Sequence, residues 1–175
     1  MTRAHVNAEF KARCVDLQVA IRRVRAAEAR WAGREHQIDT YYRVAEGRLK
    51  VRETGSRAEP VWYFRNDTLR SKRSDVLILS LSTPGSIKET LARALGVKVV
   101  VDKVRRIYLR GNLRVHFDQV RGLGTFVEIE AVGQPNEFDR LRRQAEEMAR
   151  ILELRRKDLL RGSYSDLLLP PPQRA

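Results

Sequence analysis

Residues 112–130 read Asn112-Leu-Arg114-Val-His116-Phe-Asp118-Gln-Val120-Arg-Gly122-Leu-Gly124-Thr-Phe126-Val-Glu128-Ile-Glu130. Two strands are legible in this stretch. Leu113 to Val120 alternates Val115 and Phe117 with Arg114, His116 and Asp118, and Thr125 to Val132 alternates Val127, Ile129 and Ala131 with Glu128 and Glu130. Period-two alternation marks a strand with one face on an apolar core. The other face of a half-buried strand is ordinarily a mixture of Thr, Ser, Lys and Glu. Here it is almost purely ionic.

The same pattern recurs along the chain. Val6, Ala8, Phe10 and Ala12 alternate with Asn7, Glu9, Lys11 and Arg13. Ile38 to Val44 and Arg48 to Glu53 read as a hairpin turning near Glu46-Gly47, with Arg48, Lys50 and Arg52 opposite Leu49 and Val51. After a polar loop, Thr54 to Pro60, Tyr63 and Arg65 alternate with Trp62 and Phe64 in a strand over Val61 to Arg65. Arg70 to Arg73 reads as a basic loop and Val76 to Ser82 as a strand. Lys98 to Leu109 carries Lys103 and Arg105 and turns into Leu113 at Gly111-Asn112. Helical spacing predicts a helix over Asp16 to Trp31 closed by Gly33, and one opened by the capping box Ser86-Ile-Lys-Glu89 and ending at Gly96. A long helix capped by Asn136 is predicted to run to about Leu154. The expected architecture is α+β: an antiparallel eight-stranded β-barrel or strongly curved sheet with covering helices. It forms one domain over 1–169, with 170–175, which opens on three prolines, expected to be disordered.

The chain has 175 residues, 42% of them hydrophobic, enough for one domain with a real core. Lys and Arg number 35 against 22 Asp and Glu, a net charge of +13 that calls for an anionic partner. Cys14 is the single cysteine, so no internal disulfide forms and a reducing, cytoplasmic setting is expected. No signal-peptide pattern opens the sequence, and no stretch approaches a membrane span.

Where the charges sit narrows the partner. For any single strand a solvated face laced with weak ion pairs is the ordinary reading, since exposed pairs contribute ~0–1 kcal/mol. Two features point elsewhere. Arginine, whose rigid fork suits phosphate oxygens, outnumbers lysine on these faces. Glu128 and Glu130 lie two apart with no Lys or Arg beside them on their strand, and such a pair repels unless a cation intervenes. If the ionic faces point into a closed barrel, the lumen is a cationic tunnel with an acidic wall. Lys11, Arg48, Lys50, Arg52, Arg65, Lys103, Arg105 and Arg114 would then hold a triphosphate, while Glu9, Asp118, Glu128 and Glu130 bind Mg²⁺ or Mn²⁺ bridging its oxygens. The closely spaced acids argue against a nucleic-acid surface.

The order of these segments resembles the CYTH superfamily, which groups class IV adenylyl cyclases with thiamine triphosphatases and inorganic triphosphatases. The likeness runs from Asn7 to Leu169. It rests on Asn7-Ala-Glu9-Phe-Lys11, Gln37-Ile-Asp39-Thr-Tyr41-Tyr42, Gly47-Arg48-Leu-Lys50-Val-Arg52-Glu53 and Val61-Trp-Tyr63-Phe-Arg65 followed by Asp67, Lys72 and Ser74. Lys103-Val-Arg105, the hairpin quoted above and Ser163-Tyr164-Ser-Asp166-Leu complete it. The resemblance implies a tunnel of eight antiparallel strands, a divalent metal and a triphosphate-bearing small molecule. Asn7 stands where the family's opening signature has its first acid, which weakens the case for a second metal.

Within that resemblance the pattern is nearest class IV adenylyl cyclases, converting ATP to cyclic AMP and pyrophosphate. A triphosphatase acting on tripolyphosphate, thiamine triphosphate or a nucleotide is the alternative, and a non-catalytic or repurposed binder of a phosphorylated ligand is the third reading. The catalytic group is not identified; Lys72 and His116 are its candidates, with His116 read first as a structural histidine bonded to Asp118 or substrate. Tyr41, Tyr63 and Tyr108 read as wall or packing residues, one of which would stack a base if it stood at a tunnel mouth. A homodimer is left open.

Overall fold

The alternating segments form strands in a computed structural model that describes residues 2–65, 72–79 and 84–169. They are β1 (Thr2–Arg13), β2 (Arg30–Tyr42), β3 (Arg48–Thr54), β4 (Arg57–Arg65), β5 (Lys72–Leu79), β6 (Val97–Arg110), β7 (Leu113–Val120) and β8 (Gly124–Gly133). Helices α1 (Leu17–Ala26), α2 (Pro84–Leu95), α3 (Phe138–Ile151) and the short α4 (Tyr164–Leu168) complete an α+β fold. Every pairing is antiparallel. The order β1-β5-β4-β3-β2-β6-β7-β8 closes on itself, because β1 pairs with both β5 and β8.

Packing explains which faces turn inward. The apolar faces of β1, β7 and β8 point outward, where α1 and α3 cover them: Val6, Phe117 and Ile129 pack in one cluster with Val24, Leu141 and Met148, all fully buried. On another side, Tyr42, Val51 and Ala58 pack against Ile87, Leu91 and Leu95 of α2. Each large apolar side chain buried this way is worth about 1.5–3 kcal/mol. With the apolar faces committed to the helices, the ionic faces are left to line the interior.

Several boundaries differ from the sequence expectation. The first helix stops at Ala26, short of Trp31. Glu28 takes a left-handed φ of 62°, and the Ala29 N–H reaches back to the Val24 carbonyl at 2.9 Å, a glycine-type helix stop built on glutamate. Trp31 belongs to β2 and packs edge-on to Tyr108, its helical spacing a coincidence, and Gly33 lies at a register shift in β2. Glu153 ends α3 in the same way, with φ 53° and Leu154 N–H donating to Ala149. Asn136 lies inside a 3₁₀ turn, Pro135–Glu137, that precedes α3, and Gln134 takes the capping position. α2 begins at Pro84 rather than Ser86, and β5 starts at Lys72, taking in part of the expected basic loop. The rest of that loop and residues 170–175 lie outside the described residues. No helix among the described residues is long and apolar enough to cross a membrane.

Candidate active site

The inward faces enclose a cavity of about 130 Å³ with two differently charged sides. The first is centred on Asp39. β2 lies between β3 and β6, and the register sets Asp39 opposite Arg52, Tyr41 opposite Lys50 and Gln37 opposite Lys103. Three cations therefore converge on one carboxylate. Lys50 Nζ donates to Asp39 at 2.9 Å, Arg52 Nε at 2.8 Å and Lys103 Nζ at 2.5 Å. Burial works against the Asp39 charge, but Arg52, Lys103 and Lys50 outweigh it and hold the carboxyl well below the usual range. Burial, with Arg52 beside it, pushes Lys50 well down, and Lys103 falls to about 8.

The second side is built on β8 and its neighbours. Glu9 of β1 pairs with Glu130, and Lys11 with Glu128; from β7, Arg114 faces Glu130 and His116 faces Glu128. Lys11 Nζ lies 2.9 Å from one Glu128 oxygen, and Arg105 donates to the other at 2.5 Å. Arg105 also grips Asp118 through two hydrogen bonds of 2.7 and 2.6 Å. Burial would raise Glu128, but Lys11 and Arg105 hold its carboxyl well below normal. Glu130 goes the other way: burial first, and the neighbouring Glu128 second, push it up to about 7. Burial and Arg105 keep the His116 ring neutral.

One end of the barrel is covered by α4. Tyr164 donates its hydroxyl to Asp118 at 2.8 Å, its ring lies against Phe126, and Lys11 Nζ sits 4.2 Å from the ring centroid. Arg48 pairs with Asp166 of the same helix at 3.0 Å.

The description of the CYTH domain matches residues 5–164 of this sequence. The chain belongs to the CYTH family. It is 24% identical over 133 residues to a Methanocaldococcus jannaschii protein named "Putative adenylate cyclase MJ0240", covering 74% of this chain and 75% of that one. The structure of PH1012 from Pyrococcus horikoshii superposes with a TM-score of 0.82 at 23% identity, covering 93% of this chain and 99% of its own. HpAC1 of Hippeastrum, whose structure is reported with a dominant triphosphatase activity, superposes at 0.59 with 13% identity, covering 98% and 100%. At these identities the likeness establishes a shared fold.

Within this CYTH barrel, Lys11, Lys50, Arg52, Lys103, Arg105 and Arg114 all line the cavity, as do Glu9, Glu128 and Glu130. Others of the expected set stand elsewhere. Arg48 lines a separate hollow beside α4 with Arg43 and Lys98, because it sits one turn of the pleat beyond Lys50. Asp118 lies in the wall behind Arg105, its side chain fully buried, rather than among the carboxylates. His116 makes no hydrogen bond to Asp118, whose oxygens are engaged by Arg105 and Tyr164. The side chains of Arg65 and Lys72 lie outside those described. Asn7 lines the cavity with its Oδ1 buried and without a hydrogen-bond partner. Sequence reasoning gave no role to Asp39 or Tyr164. An acid between two strand neighbours, Ile38 and Thr40, is the signal the sequence offers for Asp39, and Tyr164 is marked only by its place in Ser163-Tyr164-Ser-Asp166.

The donor chemistry suits a divalent cation at the second side. One atom each from His116, Glu128 and Glu130 lie within 4.8 Å of one another. Glu130 in particular has its charge opposed by burial and by Glu128, a state that a bound cation relieves.

Proposed function

We propose that this chain is a metal-dependent enzyme that holds a triphosphate in the barrel lumen and hydrolyses it. The observation that carries this is the division of the cavity: three cations share Asp39 on one side, and Glu9, Glu128 and Glu130 gather on the other. A polyanion and a divalent cation can lie side by side in such a space. Lys50, Arg52, Lys103, Arg105 and Arg114 would take phosphate oxygens, and Lys11 would bridge the two sides. Glu9, Glu128 and Glu130 would hold Mg²⁺ or Mn²⁺, which when bound neutralises charge on the phosphoryl oxygens. Asp118 acts in this reading as the group that fixes the Arg105 guanidinium, a positioning role rather than a metal-binding one.

Hydrolysis is the first reading because the hollow at Arg57 and Glu59 offers a base no aromatic platform; a base would have to stack in the hollow beside α4, which Tyr41 and Tyr42 line. A neighbouring hollow that shares Arg52 and Glu59 with the cavity is lined by Glu35, Gln37, Arg52, Thr54, Arg57 and Glu59, with no ring among them. Every aromatic residue of the chain falls in the described residues, and those lining the cavity, Tyr41, Tyr63 and Tyr164, cluster with Phe126 at α4. Stacking a base on an aromatic ring is worth about 1–3 kcal/mol, and cyclisation needs the base and ribose held while the 3′-hydroxyl meets the α-phosphorus. Tripolyphosphate needs no such platform. The name of the Methanocaldococcus relative supports the cyclase as the second reading.

Incubation with tripolyphosphate, thiamine triphosphate and ATP, with Mg²⁺ or Mn²⁺, separates the readings. Orthophosphate release from tripolyphosphate and no cyclic product is expected. Cyclic AMP and pyrophosphate from ATP would decide for the cyclase. Tight tripolyphosphate binding with no turnover of any substrate would leave a binder.

A further inference from the structure

His116 sits mid-strand on β7, opposite Glu128 on β8, with its side chain 6% exposed. Its Nδ1 is buried and has no hydrogen-bond partner. The Glu130 carboxylate is 4.0 Å from it, beyond hydrogen-bond range. Asp118, the natural acceptor two residues along the same face, is taken by Arg105 and Tyr164. Arg105 itself can accept nothing. Leaving a buried polar atom unpaired costs about 1–3 kcal/mol, and Nδ1 is left beside the Glu130 carboxylate without a hydrogen bond to it.

One ring nitrogen of His116 and one oxygen from each of Glu128 and Glu130 lie within 4.8 Å of one another. Ligand distances of about 2.0–2.2 Å place opposed ligands about 4 Å apart, so a modest inward movement lets one ion touch all three. Glu128 already carries Lys11 and Arg105 on its oxygens and is a shared ligand. Glu130 and His116 are the less committed pair.

We infer that His116 is a nitrogen ligand of the lumen cation, and that the site therefore selects Mn²⁺ over Mg²⁺. This rests on the metal-dependent reading above and refines it. All-oxygen sets suit Mg²⁺; an imidazole moves preference toward first-row transition ions, in the order of rising affinity that starts at Mn²⁺.

The test is Mn²⁺ titration of the full chain without substrate, followed by electron paramagnetic resonance, with electron spin-echo modulation to detect nitrogen on the bound ion. Nitrogen coupling is expected in the wild type and its loss in His116→Gln. The variant's Kd for Mn²⁺ should rise by about tenfold or more, while its Kd for Mg²⁺, measured by competition, should change less than about threefold. The wild-type spectrum decides even if the variant folds poorly. Bound Mn²⁺ without nitrogen coupling, or equal Mn²⁺ and Mg²⁺ losses in the variant, overturns the inference and leaves the metal reading standing. Failure of the wild type to bind Mn²⁺ even with tripolyphosphate present overturns both.

Discussion

The Asp39 side and the Glu130 side of the lumen are made from the same kind of strand, yet their charges are in opposite imbalance. At Asp39 one acid serves Lys50, Arg52 and Lys103, and its carboxyl is driven far into the ionised form. At Glu130 burial and the acids Glu128 and Glu9 outweigh Arg105 and Arg114, and the carboxyl is driven up to about 7. An alternating ionic strand therefore does not dictate the charge of the surface it builds. The strand order does, by choosing which faces meet. One side is left short of negative charge and the other short of positive charge, and the proposed metal-bound polyanion would supply both.

The sharpest way to break this comparison is to remove the acid that three cations share. Asp39→Asn should lower the unfolding free energy by about 3–5 kcal/mol, the usual loss when buried charges lose their partner. Tripolyphosphate should then raise the variant's Tm more than the wild type's, because the ligand replaces the missing charge. A loss under about 1 kcal/mol in urea melts would mean the cations are not buried together. On the other side the two glutamates should part company. Glu128→Gln should cost about 3 kcal/mol by stranding Lys11 and Arg105. Glu130→Gln should leave the metal-free protein as stable as wild type or more so, yet abolish most metal-dependent turnover. Equal stability losses in the two variants would erase the distinction.

A smaller effect is expected from pH. Lys103 titrates at about 8 in the folded protein, and an anion binds its charged form. Affinity for tripolyphosphate should therefore be full below pH 8 and weaken as pH rises through it, by at most about tenfold per unit for this one group. Isothermal titration between pH 7 and 9 reads the slope, and a flat profile would remove Lys103 from the phosphate contacts. The mildest change is Tyr164→Phe, which deletes the hydroxyl on Asp118 and keeps the ring under Lys11. It should cost about 1–2 kcal/mol and reduce turnover through Arg105, with thermal melts and kinetics measured side by side.

Much of the barrel could be read from residues because alternation is a local property. β7 falls at Leu113–Val120, where the pattern put it, and the ionic faces of β1, β3, β6 and β8 lie on one surface as expected. Helix α1 ends before the sequence pattern does because Trp31 continues the helical period while Glu28 adopts a conformation that its residue type disfavours. The pairing of charges was out of reach for a different reason. Asp39 meets Lys50 and Lys103 only because β2 lies between β3 and β6, an adjacency set by closure of the whole sheet. Arg48 shares a strand face with Lys50 and Arg52, so alternation alone could not tell that it pairs with α4 instead. Glu128 looked unopposed along its own strand, while its partners Lys11 and Arg105 come from β1 and β6.

Closure through β1 also bears on how the molecule comes into being. Residues 6–13 find their β8 partners at 126–133, across almost the whole described chain. Contacts so far apart in sequence form late, since the closing of long loops must precede any gain from them. Glu9 and Lys11 can therefore face Glu130 and Glu128 only once β8 has been made, and Tyr164, which follows β8 in the chain, reaches Asp118 only after that point of synthesis. A chain emerging from the ribosome therefore has no enclosed cavity until β8 is made, and the lumen should form in a single step, at the moment the sheet becomes a ring.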